Sequence, residues 1–124
     1  MERHILNWFE IPVKDFERAK KFYETILDIQ MPVESMDGFR MAFFPFFNGT
    51  PTGCITEGDF TLPSESHGVL IYLNGEPDLS VIIDKVEQAG GAVLTPKQLI
   101  SPEYGYYGLF RDSEGNKIGL QSAG

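Results

Sequence analysis

One cysteine, Cys54, is present in 124 residues. A single thiol excludes an internal disulfide framework and a thiolate metal cluster. Basic residues are also few: 10 Lys and Arg stand against 18 Asp and Glu, for a formal net charge of -8. That field repels phosphate backbones and anionic lipid headgroups, and the cations are scattered rather than clustered, so neither nucleic acid nor membrane is an expected partner. No apolar run approaches the roughly 20 residues that cross a bilayer. The opening MERHILNWFE lacks the apolar h-region of a signal peptide, and the expected location is the cytoplasm. Asn48-Gly49-Thr50 matches the glycosylation sequon, which means little in a chain expected to stay inside the cell. What is present suits a folded protein: hydrophobic residues make up 42% of the chain, which excludes disorder, and the length suits one domain over 1–124 with a core of its own.

The chain repeats a pattern. Asp15 opens DFERAKKFYETIL, where Phe16, Ala19, Tyr23, Ile26 and Leu27 recur at the spacing of a helix with one buried face. Asp78 opens DLSVIIDKVEQAGG, where Leu79, Ile82, Ile83, Val86 and Ala89 do the same and Gly90 suits a left-handed C-cap. Both aspartates are good N-caps. A strand-like run precedes each helix, ILNWFEIPV and GVLIYLN. Three follow each one: IQMPVES, FRMAFFPF and TGCIT, then GAVLTPKQLI, YYGLFRD and NKIGLQ. The expected order is β-α-β-β-β twice, in modules of about 1–60 and 66–124.

These residues carry a resemblance. FEIPVKDFERAKKFYETIL resembles the opening of the vicinal-oxygen-chelate superfamily of glyoxalase I, bleomycin-resistance proteins and extradiol dioxygenases; FRDSEGNKIGLQ resembles the turn and last strand of its second module. Within that group the chain is most similar to short proteins labelled as related to lactoylglutathione lyase. The resemblance implies an α+β fold in which two βαβββ modules pair into a curled, cup-forming mixed sheet with a ligand inside. It also implies a homodimer.

The resemblance marks four metal positions, and this sequence departs from them. Trp8 stands seven residues before Asp15, where metal-dependent members place His or Glu; Gly119 stands where the last-strand Glu is usual; TGCIT carries no carboxylate, and LIY in the second module's first strand offers no ligand. No metal and no cofactor are therefore expected. Candidate ligand-binding residues are Trp8 as a flat wall, Glu10, Tyr72 at the mirrored position of the second module, and Gln121 on the last strand. Strand alternation sends Trp8, Glu10 and Pro12 to one face and Phe9, Ile11 and Val13 to the other. Glu10 is the best catalytic candidate and has two readings. It is an acceptor or general base facing a pocket, or an exposed or ion-paired residue with Arg40 or Arg111 as the partner. Tyr72 is expected to face it across the cup, and the Tyr104–Gly108 segment either lines a pocket mouth or packs. His4 and His67 are read as surface residues. The function expected is a small-molecule-binding protein that has lost the superfamily's metal site; the alternatives are a lyase, isomerase or dioxygenase of the same superfamily, or an interaction module.

Overall fold

Both repeats fold as their apolar spacing predicts, into a strand, a helix and three more strands. The computed structural model describes residues 5–36, 38–45, 52–58 and 62–124. The first module comprises β1 (Phe9–Pro12), α1 (Phe16–Leu27), β2 (Val33–Met36), β3 (Phe39–Phe43) and β4 (Gly53–Glu57). The second comprises β5 (Tyr72–Asn74), α2 (Ser80–Ile83), β6 (Ala92–Ser101), β7 (Gly105–Arg111) and β8 (Lys117–Ser122). Each forms a four-stranded sheet, in the orders β1-β4-β3-β2 and β5-β8-β7-β6. In both, the first and last strands pair in parallel and the remainder are antiparallel. The architecture is the expected α+β pair of modules, but the two sheets are not hydrogen-bonded into one and no closed surface forms. His4, the sequon and the Phe46-Phe47 pair lie outside the described residues. Among the described residues no helix is long and apolar enough to cross a membrane.

Helix α1 starts where Asp15, in extended conformation, accepts a hydrogen bond from the Arg18 N–H at 3.1 Å. Its buried face is broader than the sequence stripe. Phe22 is buried beside Phe16, Ala19, Tyr23 and Ile26, while Leu27 is only partly covered. The extra ring is explained by the second module, since Phe22 packs against Phe110 with ring centres 6.0 Å apart. Burying a side chain of that size contributes about 1.5–3 kcal/mol.

The second helix departs from expectation. The 78–91 stripe keeps Leu79, Ile83 and Val86 buried, but regular helix covers only Ser80–Ile83. Beyond it the chain tightens into turns, with Lys85 N–H donating to the Ile82 carbonyl at 3.0 Å and Val86 N–H to Ile83 at 3.2 Å. The tighter turns still bury the apolar face through Val86. Asp78 is not the N-cap; Leu79 holds that position, although the Asp78 carboxylate accepts from Ser80 N–H at 2.9 Å. Gly90 adopts the left-handed conformation expected of it, at φ 111°.

The modules are locked together by the turn before β8. Buried Glu114 accepts from the backbone N–H of Lys14 at 2.9 Å and of Asp15 at 2.7 Å, and from the Arg18 guanidinium at 2.7 and 3.0 Å. Asn116 donates to the Pro12 carbonyl at 2.8 Å and to Asp112 at 2.9 Å, and Asp112 accepts the Tyr23 hydroxyl at 2.6 Å. Burial, and then the Asp112 carboxylate, push the Tyr23 phenol well above its ordinary value, so it stays a donor. These bonds seize the chain where β1 ends and α1 begins. They therefore fix β1 against the second module.

Candidate functional site

Strand β1 shows the expected alternation: Ile11 and Val13 are buried in the core, while Glu10 is exposed and Trp8 retains 37% exposure. The Trp8 indole N–H donates to the Glu10 carboxylate at 3.2 Å, and the Trp8 ring meets Phe43 edge-on at 6.0 Å. One residue over, on β4, Cys54 pairs with Glu10 in register. Burial, and then the Glu10 charge, push the Cys54 thiol up to about 12. That excludes Cys54 as a thiolate nucleophile near neutral pH.

Neither arginine considered as a partner reaches Glu10. Arg40 bonds to Glu57 at 2.9 Å and lies over the Phe16 ring, and Arg111 meets Glu65 at 3.4 Å. Among the described residues Glu10 forms no ion pair. It borders instead a cavity of about 380 Å³ at the junction of the modules. One wall is Trp8 and Glu10; the other is Ile71 and Ile118 of the second module, with Leu62 and Val69 from the connecting segment. This is a largely apolar recess with a few polar groups, the usual chemistry of a small-molecule site.

His67 and Lys117 line the same cavity. The His67 Nδ1 lies 2.8 Å from the Ser66 hydroxyl, which holds the ring. His67 was read from the sequence as a surface residue, and it is exposed; Lys117 was not singled out. The only sign was that His67 falls just before the second module's first strand, and nothing in the local pattern says that this loop folds back toward β1.

Tyr72 and Gln121 are brought together, but elsewhere. They line a second cavity of about 360 Å³ with Ile100 and Tyr107, and Gln121 donates to the Tyr104 carbonyl at 3.0 Å. Tyr72 does not line the cavity that Glu10 borders, so the expected arrangement across one cup is not formed within this chain. Tyr72 does mirror Glu10 along its strand: each faces away from the core, Glu10 paired with Cys54 and Tyr72 with Gly119, yet the two open on different recesses. On the core face of the first module it is Phe9 that is stacked on a glycine, Gly53. The two modules thus use one packing device, a ring laid over a glycine, with opposite faces.

The metal positions marked by the resemblance do not fit an ion. Indole nitrogen is a donor only, and that of Trp8 is committed to Glu10. At Gly119 the space of a side chain is filled by the Tyr72 ring. Strand β4 carries the buried thiol of Cys54, held protonated, and ends one residue beyond TGCIT in Glu57, whose carboxylate is bonded by Arg40. Among the described residues, no three His, Cys, Asp or Glu side chains are grouped to hold a metal.

Comparison with known proteins follows the geometry. The sequence profile of the Glyoxalase/Bleomycin resistance protein/Dioxygenase superfamily matches residues 5–120. No curated protein matches the chain. Among solved structures, a glyoxylase/bleomycin resistance protein/dioxygenase domain from Frankia sp. EAN1pec is similar at TM-score 0.72 and 22% identity, over 98% of this chain and 93% of that one. A mutant of the fosfomycin resistance protein FosX from Listeria monocytogenes, solved with Mn(II) and 1S,2S-dihydroxypropylphosphonic acid, is similar at 0.63 and 18% identity, over 96% and 89%. A glyoxalase I mutant from Zea mays is similar at 0.64 and 16%, over 94% of this chain and 45% of that one. Identities this low establish the fold alone. With the profile covering nearly its whole length, the chain belongs to the glyoxalase/bleomycin resistance protein/dioxygenase superfamily.

Proposed function

We propose that this protein is a small-molecule-binding member of the superfamily in which the metal site is no longer built, and that it holds an organic ligand in the cavity beside β1. The Trp8–Glu10 pair carries the reading. Where a metal-dependent member needs a ligand atom, this chain has an indole whose N–H aims the neighbouring carboxylate. The Trp8 ring supplies a flat apolar wall and Glu10 a charged acceptor, while Leu62, Val69, Ile71 and Ile118 add apolar lining for the body of a ligand. An acceptor of this kind orients a ligand without reacting with it.

The chain contains one tryptophan, so its emission reports on this cavity directly. A metabolite panel is screened by thermal shift on chelator-treated protein, and hits are titrated by Trp8 emission. The expected result is a ligand that raises the melting temperature and changes the emission with no metal added. Binding or turnover that appears only with a divalent ion and vanishes with a chelator would overturn the reading. A cytoplasmic homodimer belongs to the same proposal. The exposed Tyr72, Leu99 and Ile100 leave apolar surface of the second module in water, and a second copy would cover it.

A further inference from the structure

The cavity beside β1 holds charges of both signs, and they do not neutralise each other. Glu10 and Lys117 both line it, yet among the described residues neither forms an ion pair with any partner. Strand alternation accounts for the lysine: Ile118 and Leu120 turn into the core, so Lys117 stands on the opposite face of β8, with Gly119. Its backbone N–H bonds to the Ser64 carbonyl at 3.3 Å, which places it beneath the segment that carries His67. His67 brings an imidazole to the same lining, its ring steadied by Ser66. Leu62, Val69 and Ile71 add apolar lining.

We infer that the ligand is dipolar, a small amphipathic molecule with a protonated amine at one end and an anionic group at the other. This rests on the reading of the cavity as a binding site and names the chemistry it takes. The amine meets Glu10 beside the Trp8 ring, a carboxylate and an aromatic face both suited to an ammonium. The anionic end meets Lys117 and His67. A ligand with a charge at one end only leaves the other protein charge stripped of water without compensation, which is how the site selects against it. The chain's overall charge of -8 repels anions at long range, so the anionic end depends on the local cation Lys117.

The test titrates the metal-free full-length chain by Trp8 emission with hexylamine, hexanoate, and the amino carboxylates 4-aminobutanoate, 6-aminohexanoate and 8-aminooctanoate. At least one amino carboxylate is expected to bind about tenfold more tightly than either monofunctional probe, as one added charge-assisted contact implies. Glu10→Gln should bring its affinity down to that of hexanoate, and Lys117→Met to that of hexylamine. Hexylamine binding as tightly as every amino carboxylate, or indifference of the amino carboxylates to Lys117→Met, overturns the dipolar assignment and leaves the cavity standing as a binding site. So does a screening hit with no charged groups when all five probes fail. Failure of every probe and of the whole panel overturns both.

Discussion

Replacing Glu114 by glutamine tests the lock that sets β1 against the second module. The Glu114 side chain is fully buried, while that of Arg18 is 53% exposed. A glutamine can keep one oxygen aimed at the Lys14 and Asp15 N–H groups, but its amide N–H₂ then faces the guanidinium. The Arg18 Nη2 donates to that same oxygen and can keep doing so, but the Nε bond to the other oxygen and the charge of the pair are lost. Such a bond contributes about 1.5–3 kcal/mol, and the half-exposed arginine regains water, so the expected cost at neutral pH is about 1–3 kcal/mol. Acidification should remove most of that difference. Burial alone would raise the Glu114 carboxyl, but the bonds from Arg18, the Asp15 N–H, Ser113 and the Lys14 N–H outweigh it and hold it below the ordinary value. A group with a lowered folded value contributes its full stability above the unfolded value of about 4.3 and loses it as pH falls through the lower folded value. Below that point the wild-type side chain is a neutral carboxyl and resembles the glutamine. Urea melts of both proteins at neutral pH and at steps through the acid range measure the difference. A gap under about 0.5 kcal/mol at neutral pH, no more than a surface substitution costs, would refute the reasoning, as would a gap that does not shrink on acidification.

Gly119→Ala puts a methyl group where the Tyr72 ring lies, and the overpacking should cost about 1–3 kcal/mol; an unchanged urea midpoint contradicts the stacking. With its thiol pushed up to about 12 and its side chain buried, Cys54 should resist a thiol-specific chromogenic reagent in the native protein and react fully once denatured; rapid native labelling contradicts the burial. Light scattering should return about twice the 13.9 kDa chain mass, and the monomer mass at micromolar concentration contradicts the proposed dimer.

Much of the fold was legible because it rests on local periodicity. The stripe from Phe16 to Ile26 and the Asp15 cap define α1, and the alternation of Trp8 and Glu10 against Ile11 and Val13 defines the two faces of β1. What was illegible depends on contacts between modules. Phe22 is buried because Phe110 meets it from the other half of the chain. FRDSEGNK reads only as a turn, and nothing in it shows that α1 lies over it; yet Asp112, Glu114 and Asn116 are all buried. Tyr72 faces away from the core as Glu10 does, so the strand alternation was legible; that the two line separate recesses depends on how the modules pack, which no local pattern shows. His67 and Lys117 join the site through the fold of the connecting segment, which has no periodicity to read.

The most direct test of the account is a paired titration and melt of the wild type and Glu10→Gln, with the tightest ligand that the screen finds. Glu10 is exposed, and an amide oxygen can still accept from the Trp8 indole, so stability should change by less than about 0.5 kcal/mol. Affinity should fall by roughly tenfold or more, as loss of a charge-assisted hydrogen bond implies. Destabilisation by several kcal/mol, with undiminished affinity in the folded fraction, would contradict the account and assign the carboxylate of β1 to the scaffold.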